Sequence, residues 1–306
     1  METTPTSIPK ILFKYRADSE WTEGILEKKT VWLATAANLN DPLECRTGVI
    51  PEAWKRETIR DLEQGQIWGV LGAPPTFRPP ETLFSLSPRD TRRWLKRCKA
   101  LSHAERVKAV RKLYSEHGIE LSRPGQIFER LSEQLAAIGI FSMSAKLDSQ
   151  LMWSHYGGSH SGLALGFAPI EGCRLADPLH LLQVSYSDTK PTFQAGFRNQ
   201  VEIGYDYQGR QVSRQRFSFE DPVLRAAFST KPVDWQYEDE WRYIEEKGGE
   251  FPWPAPLVEV VFGLKMPLDR RKEYIRKARK TAGSDVRFSE MVVAPDASGF
   301  RRQPFE

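Results

Sequence analysis

An eight-residue run in the last quarter of the chain sets three carboxylates and a guanidinium among large aromatic side chains. The run is Trp235-Gln236-Tyr237-Glu238-Asp239-Glu240-Trp241-Arg242. As a β-strand it would turn its aromatic side chains toward a core and set Glu238, Glu240 and Arg242 together on the opposite face, because side chains alternate along a strand. The same alternation turns Asp239 toward the aromatic side, where its carboxylate needs a hydrogen-bond partner.

As a helix, the same run has a plainer explanation. Glu238 and Arg242 then form an ordinary ion pair one turn apart, and Tyr237 stacks against Trp241. The eight residues alone leave both alternatives open.

Composition limits the class of protein. With 306 residues, of which 40% are hydrophobic and 27% charged, the chain is typical of a soluble globular protein with one elaborated domain or two. The formal net charge of +4 comes from basic residues spread along the chain, and it is only a weak indication of an anionic partner. The three cysteines, Cys45, Cys98 and Cys173, form no CxxC pair, so the sequence predicts neither a disulfide framework nor a metal site.

The N-terminal segment and the hydropathy of the chain predict its location. Residues 1–10 are polar and lack the basic and apolar regions of a signal peptide. No apolar run approaches the roughly 18 residues needed to span a bilayer. We therefore expect a cytoplasmic protein with no membrane partner, unless a dedicated secretion system exports it.

Hydrophobic periodicity predicts interleaved strands and helices. Predicted strands cover residues 11–16, 30–35, 139–144, 162–167, 181–186, 257–264 and 286–293, and predicted helices cover 21–27, 217–229 and 267–281. Residues 51–137 have a different, helical and basic character, with predicted helices over 89–99, 104–114 and 125–137. The pattern predicts a single α+β domain over residues 1–306 that contains a helical insertion at 51–137.

Four short blocks carry a family resemblance. They are Lys14-Tyr15-Arg16, Asn40-Asp41-Pro42-Leu43-Glu44, the segment 142–158 with its Met-Trp-Ser-His-Tyr-Gly core, and Glu238-Asp239-Glu240-Trp241-Arg242. In their order and in their residues, these blocks resemble the bacterial domain of unknown function family twenty-nine seventy-one, and the resemblance covers nearly the whole chain except the insertion. That family name implies no activity.

A more distant resemblance of pattern is to the ADP-ribosyltransferases. Arg16, Ser142-Met143-Ser144 and Glu238-Asp239-Glu240 follow one another as the conserved strand residues of those enzymes do. The resemblance implies a split β-sheet that binds NAD as substrate, without a metal. The DNA-modifying branch is also similar at the asparagine-proline turn, but its preceding arginine is replaced by Leu39, so that branch's specificity is not carried over.

The chemistry of NAD cleavage suits these residue types. The reaction passes through a ribose cation, which a fixed carboxylate stabilises, and Glu240 would take that role. Glu238, two residues earlier and roughly 6–7 Å away on the same strand face, would orient or deprotonate the acceptor. Arg16 would pair with the pyrophosphate. Ser144 would hydrogen-bond Glu240.

The other cofactor-binding candidates come from the same blocks. Either Trp153 or Tyr156 would stack on nicotinamide or adenine. The complete predicted NAD-binding set is Arg16, Tyr15, Asn40, Ser142, Ser144, Trp153, His155 and Tyr156.

Several of these residues also have structural explanations. Arg16 at the end of a first strand is often an exposed or ion-paired residue, and Asn40-Asp41-Pro42 is equally typical of a structural turn. His155 and His160 do not face each other on a helix, which argues against a metal site.

The functional prediction is an NAD-dependent ADP-ribosyltransferase that modifies a protein or nucleic-acid acceptor. An NAD glycohydrolase and a non-catalytic nucleotide- or peptide-binding module stay open as alternatives. A role as a toxin, defence protein or regulator is not decided.

Overall fold

The computed structural model describes residues 7–41, 44–45, 51–72, 78–121, 123–189, 199–205, 211–296 and 299–305. The chain divides into two compact units. The first consists of Met1–Thr47, Gln134–Pro191 and Pro222–Glu306, and the second of Gly48–Glu133 and Thr192–Asp221. The prediction of one domain with an insertion at 51–137 stays a prediction.

Helices and strands are interleaved along the chain. The α-helices are α1 Glu20–Lys28, α2 Glu52–Leu71, α3 Pro88–Lys99, α4 His103–Glu116, α5 Gln126–Ala137, α6 Gln150–His155, α7 Pro222–Ser229 and α8 Leu268–Ala282. Short 3-10 helices cover Ala36–Asn38, Arg174–Ala176 and Val233–Glu238.

Strands occur at the predicted positions 11–16, 30–35, 139–144, 162–167, 257–264 and 286–293 to within about two residues, whereas the strands at 249–252 and 300–304 were not predicted. The strands are β1 Leu12–Arg16, β2 Thr30–Thr35, β3 Gly139–Ser144, β4 Leu163–Phe167, β5 Leu181–Gln183, β6 Ser185–Tyr186, β7 Asn199–Tyr205, β8 Gln211–Phe217, β9 Thr230–Lys231, β10 Glu240–Glu245, β11 Gly249–Pro252, β12 Leu257–Phe262, β13 Arg287–Val293 and β14 Phe300–Pro304.

Ten of the described strands form one mixed sheet in the first unit. The order along its main path is β11-β2-β3-β1-β4-β12-β13-β14, with β10 pairing β3 and β5. Most neighbours are antiparallel, but β12 and β13 are parallel. A mixed sheet with helices on it is the α+β class that the sequence predicts.

Strands β1 and β3 are neighbours in the sheet but pair over a short stretch. Strand β10 pairs with β3 along its whole length, so β1 and β2 share the opposite edge of β3. Strand β1 meets β3 at one pair, Phe13↔Ser144, and β2 meets it at Ala34↔Ile140 and Thr35↔Gly139. Between these points the edge of β3 faces a gap among the described strands. That gap positions the candidate site described below.

Helices cover both faces of the sheet. On one face, α1 and α8 pack on strand side chains such as Leu12, Phe141 and Trp241. On the other face, α6 packs on Phe13 and Tyr15 through Met152 and Trp153. Alternation along β1 therefore directs Phe13 and Tyr15 to one side and Leu12 to the other.

The second unit contains a helical core and a pair of strands. Helices α2, α3 and α4 share a core that includes Ile67, Val70, Leu95 and Val110. Strands β7 and β8 form an antiparallel pair from Asn199↔Phe217 to Tyr205↔Gln211. The helices predicted at 89–99, 104–114 and 125–137 correspond to α3, α4 and α5.

Neither of the two alternatives for residues 235–242, a strand or a helix, holds over the whole run. Residues Val233–Glu238 form a 3-10 helix, and strand β10 begins only at Glu240. Between them Asp239 adopts a left-handed backbone with φ 43°, a conformation that Asp and Asn tolerate better than most residues. The side-chain alternation expected for Trp235 to Asp239 does not apply, while Trp241 does point into the core.

One glycine contact is tight enough to test the packing of β1. A Cβ at Gly162 would collide with the backbone carbonyl of Arg16. We expect Gly162→Ala to lower the free energy of unfolding by about 1–3 kcal/mol, the usual cost of overpacking. Urea denaturation measures this loss.

Gly24→Ala is the matched control. Its Cβ meets nothing within 4 Å, and it lies inside α1. This change should stabilise the protein by about 0.5–1 kcal/mol, because alanine is the better helix former. Equal effects of the two substitutions would contradict the packing described for Gly162.

Candidate functional site

A cavity of about 810 Å³ lies in the first unit, beside the gap between β1 and the edge of β3. Its walls come from β1, α1, β2, β3, α6 and the segment that leads into β10. They are formed by Phe13, Lys14, Tyr15, Arg16, Ala17, Trp21, Ile25, Trp32, Ala34, Asn38, Leu39, Asn40, Glu44, Ile140, Phe141, Ser142, Met143, Ser144, Met152, His155, Tyr156, Lys231, Glu238 and Glu240. The sequence blocks that are far apart along the chain thus meet at one cavity.

Three carboxylates surround one lysine at one side of the cavity. The Nζ atom of Lys231 lies 2.8 Å from Glu44 Oε1, 2.6 Å from Glu238 Oε2 and 3.3 Å from Glu240 Oε2. All four side chains are buried. Charges that are removed from water in this way are tolerated only when they are paired.

Arg242 is the second cation of this buried ion cluster, and its side chain has no exposed surface. Its Nε donates to Glu240 Oε1 at 2.8 Å, and its Nη2 donates to Glu44 Oε2 at 2.6 Å. Its Nη1 donates to the backbone carbonyl of Phe228 at 2.9 Å. The cluster of Glu44, Lys231, Glu238, Glu240 and Arg242 therefore holds three carboxylates and two cations, one negative charge in excess when all are ionised.

The two carboxylates of the Glu-x-Glu run have different electrostatic environments. Burial by itself raises the pKa of Glu240, but the charges and hydrogen bonds of Arg242, with Lys231, outweigh burial and hold that pKa at about 2. Burial also raises the pKa of Glu238, and there Lys231 only partly opposes it while Glu240 adds to it. Glu240 is the firmly ionised member of the pair.

The bend at Asp239 brings the two carboxylates to the same lysine. The Asp239 carbonyl accepts from Ala145 N at 3.2 Å, and the Glu238 carbonyl accepts from Ser144 Oγ at 2.5 Å. Glu238 and Glu240 thus converge through a turn, and the predicted arrangement on one strand face is wrong.

The predicted contact between Ser144 and Glu240 is also wrong. The Ser144 side chain is fully buried, and its hydroxyl is used by the Glu238 carbonyl. Ser142 supplies the hydrogen bond to Glu240 instead. Strands β3 and β10 pair Glu240 with Ser144, but the bend at Asp239 places the Glu238 carbonyl over the Ser144 hydroxyl.

Tyr156 connects the cluster to the open part of the cavity. Its hydroxyl donates to Glu238 Oε1 at 2.7 Å. Burial, followed by this hydrogen bond, raises the pKa of Tyr156, and a side-chain hydrogen bond with Asn40 opposes the shift. His155 is exposed, with its ring centroid 6.3 Å from that of Tyr237. Of the turn that precedes Glu44, Pro42 and Leu43 lie outside the described residues.

Strand β1 brings two cations to the other side of the cavity. Lys14 Nζ donates to the backbone carbonyl of Ser142 at 2.8 Å and lies 4.8 Å from the centroid of the Phe141 ring. The guanidinium of Arg16 has neither a hydrogen bond nor an ion pair with the residues that the structure describes. Burial lowers the pKa of both side chains, that of Lys14 to about 7.

Two aromatic predictions need correction. Trp153 has no exposed surface, its Nε1 donates to the Leu147 carbonyl at 2.7 Å, and its ring packs edge-on against Tyr15 at 4.9 Å. A ring enclosed in this way has no free face on which nicotinamide or adenine could stack. The hydroxyl of Tyr15 likewise donates to the Lys146 carbonyl at 2.7 Å, so its side chain is held mainly in the core, although the residue also contributes to the cavity wall.

The aromatic side chains that do face solvent at the cavity are Trp21 and Trp32. They are 82% and 64% exposed, which is unusual for so large an apolar group. Trp21 lies in the first turn of α1, and Trp32 lies on the outer face of β2 between the buried Val31 and Leu33. Sequence reasoning missed both, although the alternation around Trp32 is visible in the sequence.

Glu44, Lys231 and Lys14 were also not among the predicted site residues. Glu44 and Lys14 stand inside the quoted blocks, so proximity to Arg16 and Asn40 was an available signal. Lys231 follows α7 with no motif around it, and only the tertiary structure reveals its position.

Comparison with known proteins supports one of the two resemblances. Residues 152–243 match the model of the family described as Protein of unknown function (DUF2971). This match includes the His155-Tyr156 block and the Glu-x-Glu-Trp-Arg block, and it confirms the predicted family resemblance over these residues, while the blocks at Lys14 and Asn40 lie outside the matched range. The resemblance to ADP-ribosyltransferases stays a prediction.

No curated protein and no solved structure matches the chain. Among the helices that the structure describes, none is long and apolar enough to cross a membrane. No group of His, Cys, Asp or Glu side chains in the described ranges has an arrangement suited to holding a metal ion.

The depressed pKa of Glu240 predicts a pH-dependent stability. Because the pKa falls from an ordinary value of 4.5 to about 2 on folding, the ionised carboxylate stabilises the fold fully above pH 4.5 and progressively less down to pH 2. We expect Glu240→Gln to lower the free energy of unfolding at pH 7 by about 3 kcal/mol. The difference from wild type should narrow as pH falls through that window.

Urea denaturation at constant ionic strength, repeated between pH 7 and 3, measures this difference. Glu57→Gln, which removes an exposed carboxylate of α2, reports the effect of losing one surface charge. If the difference in free energy of unfolding between wild type and Glu240→Gln did not change with pH, the low pKa assigned to Glu240 would be contradicted.

Proposed function

We propose that the cavity binds NAD and that the protein transfers the ADP-ribose of NAD to an acceptor. The observation that carries this proposal is the separation of charge across the cavity. Two cations of β1 that pair with no carboxylate of the described residues lie on one side, and a buried cluster with excess negative charge lies on the other.

This separation matches the charge distribution of NAD. Its pyrophosphate is anionic and suits Lys14 and Arg16, since a guanidinium binds phosphate oxygens in a planar fork. Its nicotinamide ring is cationic and suits the side of Glu238 and Glu240.

The size and lining of the cavity fit the same ligand. A volume of about 810 Å³ lies within the range of about 300–1,000 Å³ that small-molecule sites occupy. Trp21 and Trp32 supply exposed aromatic faces for planar rings, the role that Trp153 was expected to take.

In the proposed reaction the bond between C1′ of the ribose and N1 of nicotinamide breaks, and its electron pair leaves with nicotinamide. A nucleophilic atom of the acceptor forms the new bond to C1′ and loses a proton. The ribose carries positive charge as the first bond breaks, and a fixed anion beside it lowers the barrier.

The geometry supports distinct roles for the two carboxylates. Glu240 is held ionised and immobile by Arg242 and Lys231, so it provides a preorganised negative charge for the ribose cation. Glu238 has a raised pKa and a hydrogen bond from Tyr156, which suits a group that accepts the proton of the acceptor.

Incubation with NAD labelled in both nicotinamide and ADP-ribose tests the proposal. Nicotinamide release together with labelled protein or nucleic acid indicates transfer. Release with free ADP-ribose alone indicates an NAD glycohydrolase, in which water replaces the acceptor. Binding of NAD without release indicates a binding module and would overturn the enzymatic proposal.

Two glutamine variants separate the carboxylate roles. Glu240→Gln should lower nicotinamide release by about 10²–10³-fold per folded molecule, the scale of losing one preorganised electrostatic group. Glu238→Gln should lose acceptor modification while it retains residual NAD cleavage, because Glu240 still stabilises the ribose cation.

Glu245→Gln is the matched control, since Glu245 is a buried carboxylate of the same strand that does not line the cavity. It should retain both activities. Folded fraction is measured in parallel by circular dichroism. Equal loss of cleavage and transfer in Glu238→Gln would argue against separate roles.

The exposed tryptophans predict a binding signal. Trp32→Ala should weaken NAD binding by about 10-fold, a free energy near the lower end of about 1–3 kcal/mol for one aromatic stack. Quenching of intrinsic fluorescence on titration with NAD measures it. Trp68→Ala, which removes a 49% exposed tryptophan outside the cavity, should leave affinity unchanged. Equal affinities of Trp32→Ala and wild type would remove Trp32 from the site.

A further inference from the structure

Lys14 occupies the gap in the sheet between β1 and β3. The edge of β3 is unpaired by the described strands between Ile140 and Ser144, and the ammonium of Lys14 donates to the free carbonyl of Ser142 there, at 2.8 Å. An ammonium group has three donors. The other two have no hydrogen-bond partner among the described residues, and the side chain lines the cavity.

The two lysines of the cavity differ in a way that identifies their roles. Lys231 touches three carboxylates, so their attraction outweighs burial and raises its pKa. Lys14 touches none. An unpaired, partly buried cation is costly in a structural role, because its charge is removed from water without compensation.

The charged groups around Lys14 are few and identifiable. Arg16 on the same strand repels its charge, while Glu240 of β10 and Glu238 of the 3-10 helix attract it from beyond contact distance. Strand β3 faces it only with the Ser142 carbonyl and the Phe141 ring. Burial is the largest effect, and it places the pKa of Lys14 at about 7.

We propose that Lys14 is a second phosphate-binding group of the cavity, which takes up a proton when the diphosphate of a nucleotide ligand binds beside it and Arg16. The inference rests on the site of the proposed function, but it concerns binding alone. A diphosphate next to Lys14 would supply the counter-charge that the described residues do not, and an opposite charge favours the protonated form of a lysine.

Two consequences follow. Binding near pH 7.5 consumes a fraction of a proton, since Lys14 is only partly charged in the free protein. Affinity also falls as pH rises through 7, because the competent fraction of the protein decreases. If only the charged form of Lys14 binds the ligand, the fall in its charged fraction between pH 6 and pH 8.5 weakens binding by about 30-fold.

Isothermal titration calorimetry with ADP-ribose tests both consequences. Its diphosphate is a diester that stays doubly ionised over this pH range, so the ligand contributes no proton. Titrations of the wild type at pH 7.5 in buffers of different ionisation enthalpy give the proton uptake, and titrations from pH 6 to 8.5 give the affinity profile.

Two substitutions form a matched pair. Lys14→Arg keeps the cation and a donor for the Ser142 carbonyl but does not titrate in this range, so we expect a flat pH profile and no proton uptake. Lys14→Met keeps a side chain of similar length but removes the charge. We expect this variant to bind ADP-ribose at least 10-fold more weakly than wild type at pH 6, with an affinity that does not depend on pH. Circular dichroism and thermal melting establish that both variants are folded.

Other outcomes overturn the proposal. A pH dependence that survives in Lys14→Arg and disappears in Glu238→Gln would assign the proton to Glu238. Affinity at pH 6 that is unchanged in folded Lys14→Met would exclude Lys14 from the ligand. Should Lys14→Met fold poorly, a wild-type titration without proton uptake would overturn the proposal alone.

Failure of this inference is separable from failure of the proposed function. Lys14-dependent binding of ADP-ribose without nicotinamide release would retain the subsite and remove the transferase. If NAD is turned over but ADP-ribose binding does not depend on Lys14, the transferase is retained and the Lys14 subsite is removed.

Discussion

The first unit depends on a buried ion cluster that joins four separate segments of its chain. Glu44 follows the turn after β2, Lys231 ends β9, Glu238 ends a 3-10 helix and Arg242 lies inside β10. Removing these charges from water is costly, and the cost is offset only when every partner is in place. Because the charged groups of the cluster contact one another, the same contacts that offset the desolvation cost also fix the carboxylates at the edge of the cavity.

The short pairing of β1 with β3 makes this cluster one wall of a cavity. Full pairing of β1 with β3 would close the gap, and the cations of β1 would then be separated from the cavity. Because the two strands share one pair, Phe13↔Ser144, the side chains of Lys14 and Arg16 face the same volume as Glu240. Opposite charges on the two walls favour a ligand with both an anionic and a cationic part, and the exposed Trp21 and Trp32 favour one with planar rings.

Sequence reasoning was most accurate where local patterns act alone. The strands around Tyr15, Ser142 and Ala164 were predicted to within a residue or so, since alternation and β-branched or aromatic composition are local properties. It failed at Glu238, because a left-handed residue such as Asp239 interrupts alternation without a glycine to mark it. Trp153 was predicted to stack on the ligand because an aromatic residue in a block that resembles a family motif does not reveal which way its ring points.

The sequence by itself determined the α+β class, the family resemblance and the grouping of Arg16, Tyr156 and Glu240 as chemically coherent residues, because composition and short-range spacing are written along the chain. The tertiary structure alone decided that Lys231 pairs with three carboxylates and that Lys14 contacts no carboxylate among the described residues. Lys231 has no motif around it, and the Lys14-Tyr15-Arg16 block does not reveal which carboxylates its lysine contacts. What distinguishes them is the number of carboxylates that folding brings within contact, and contact across long sequence separations is a property of the folded sheet.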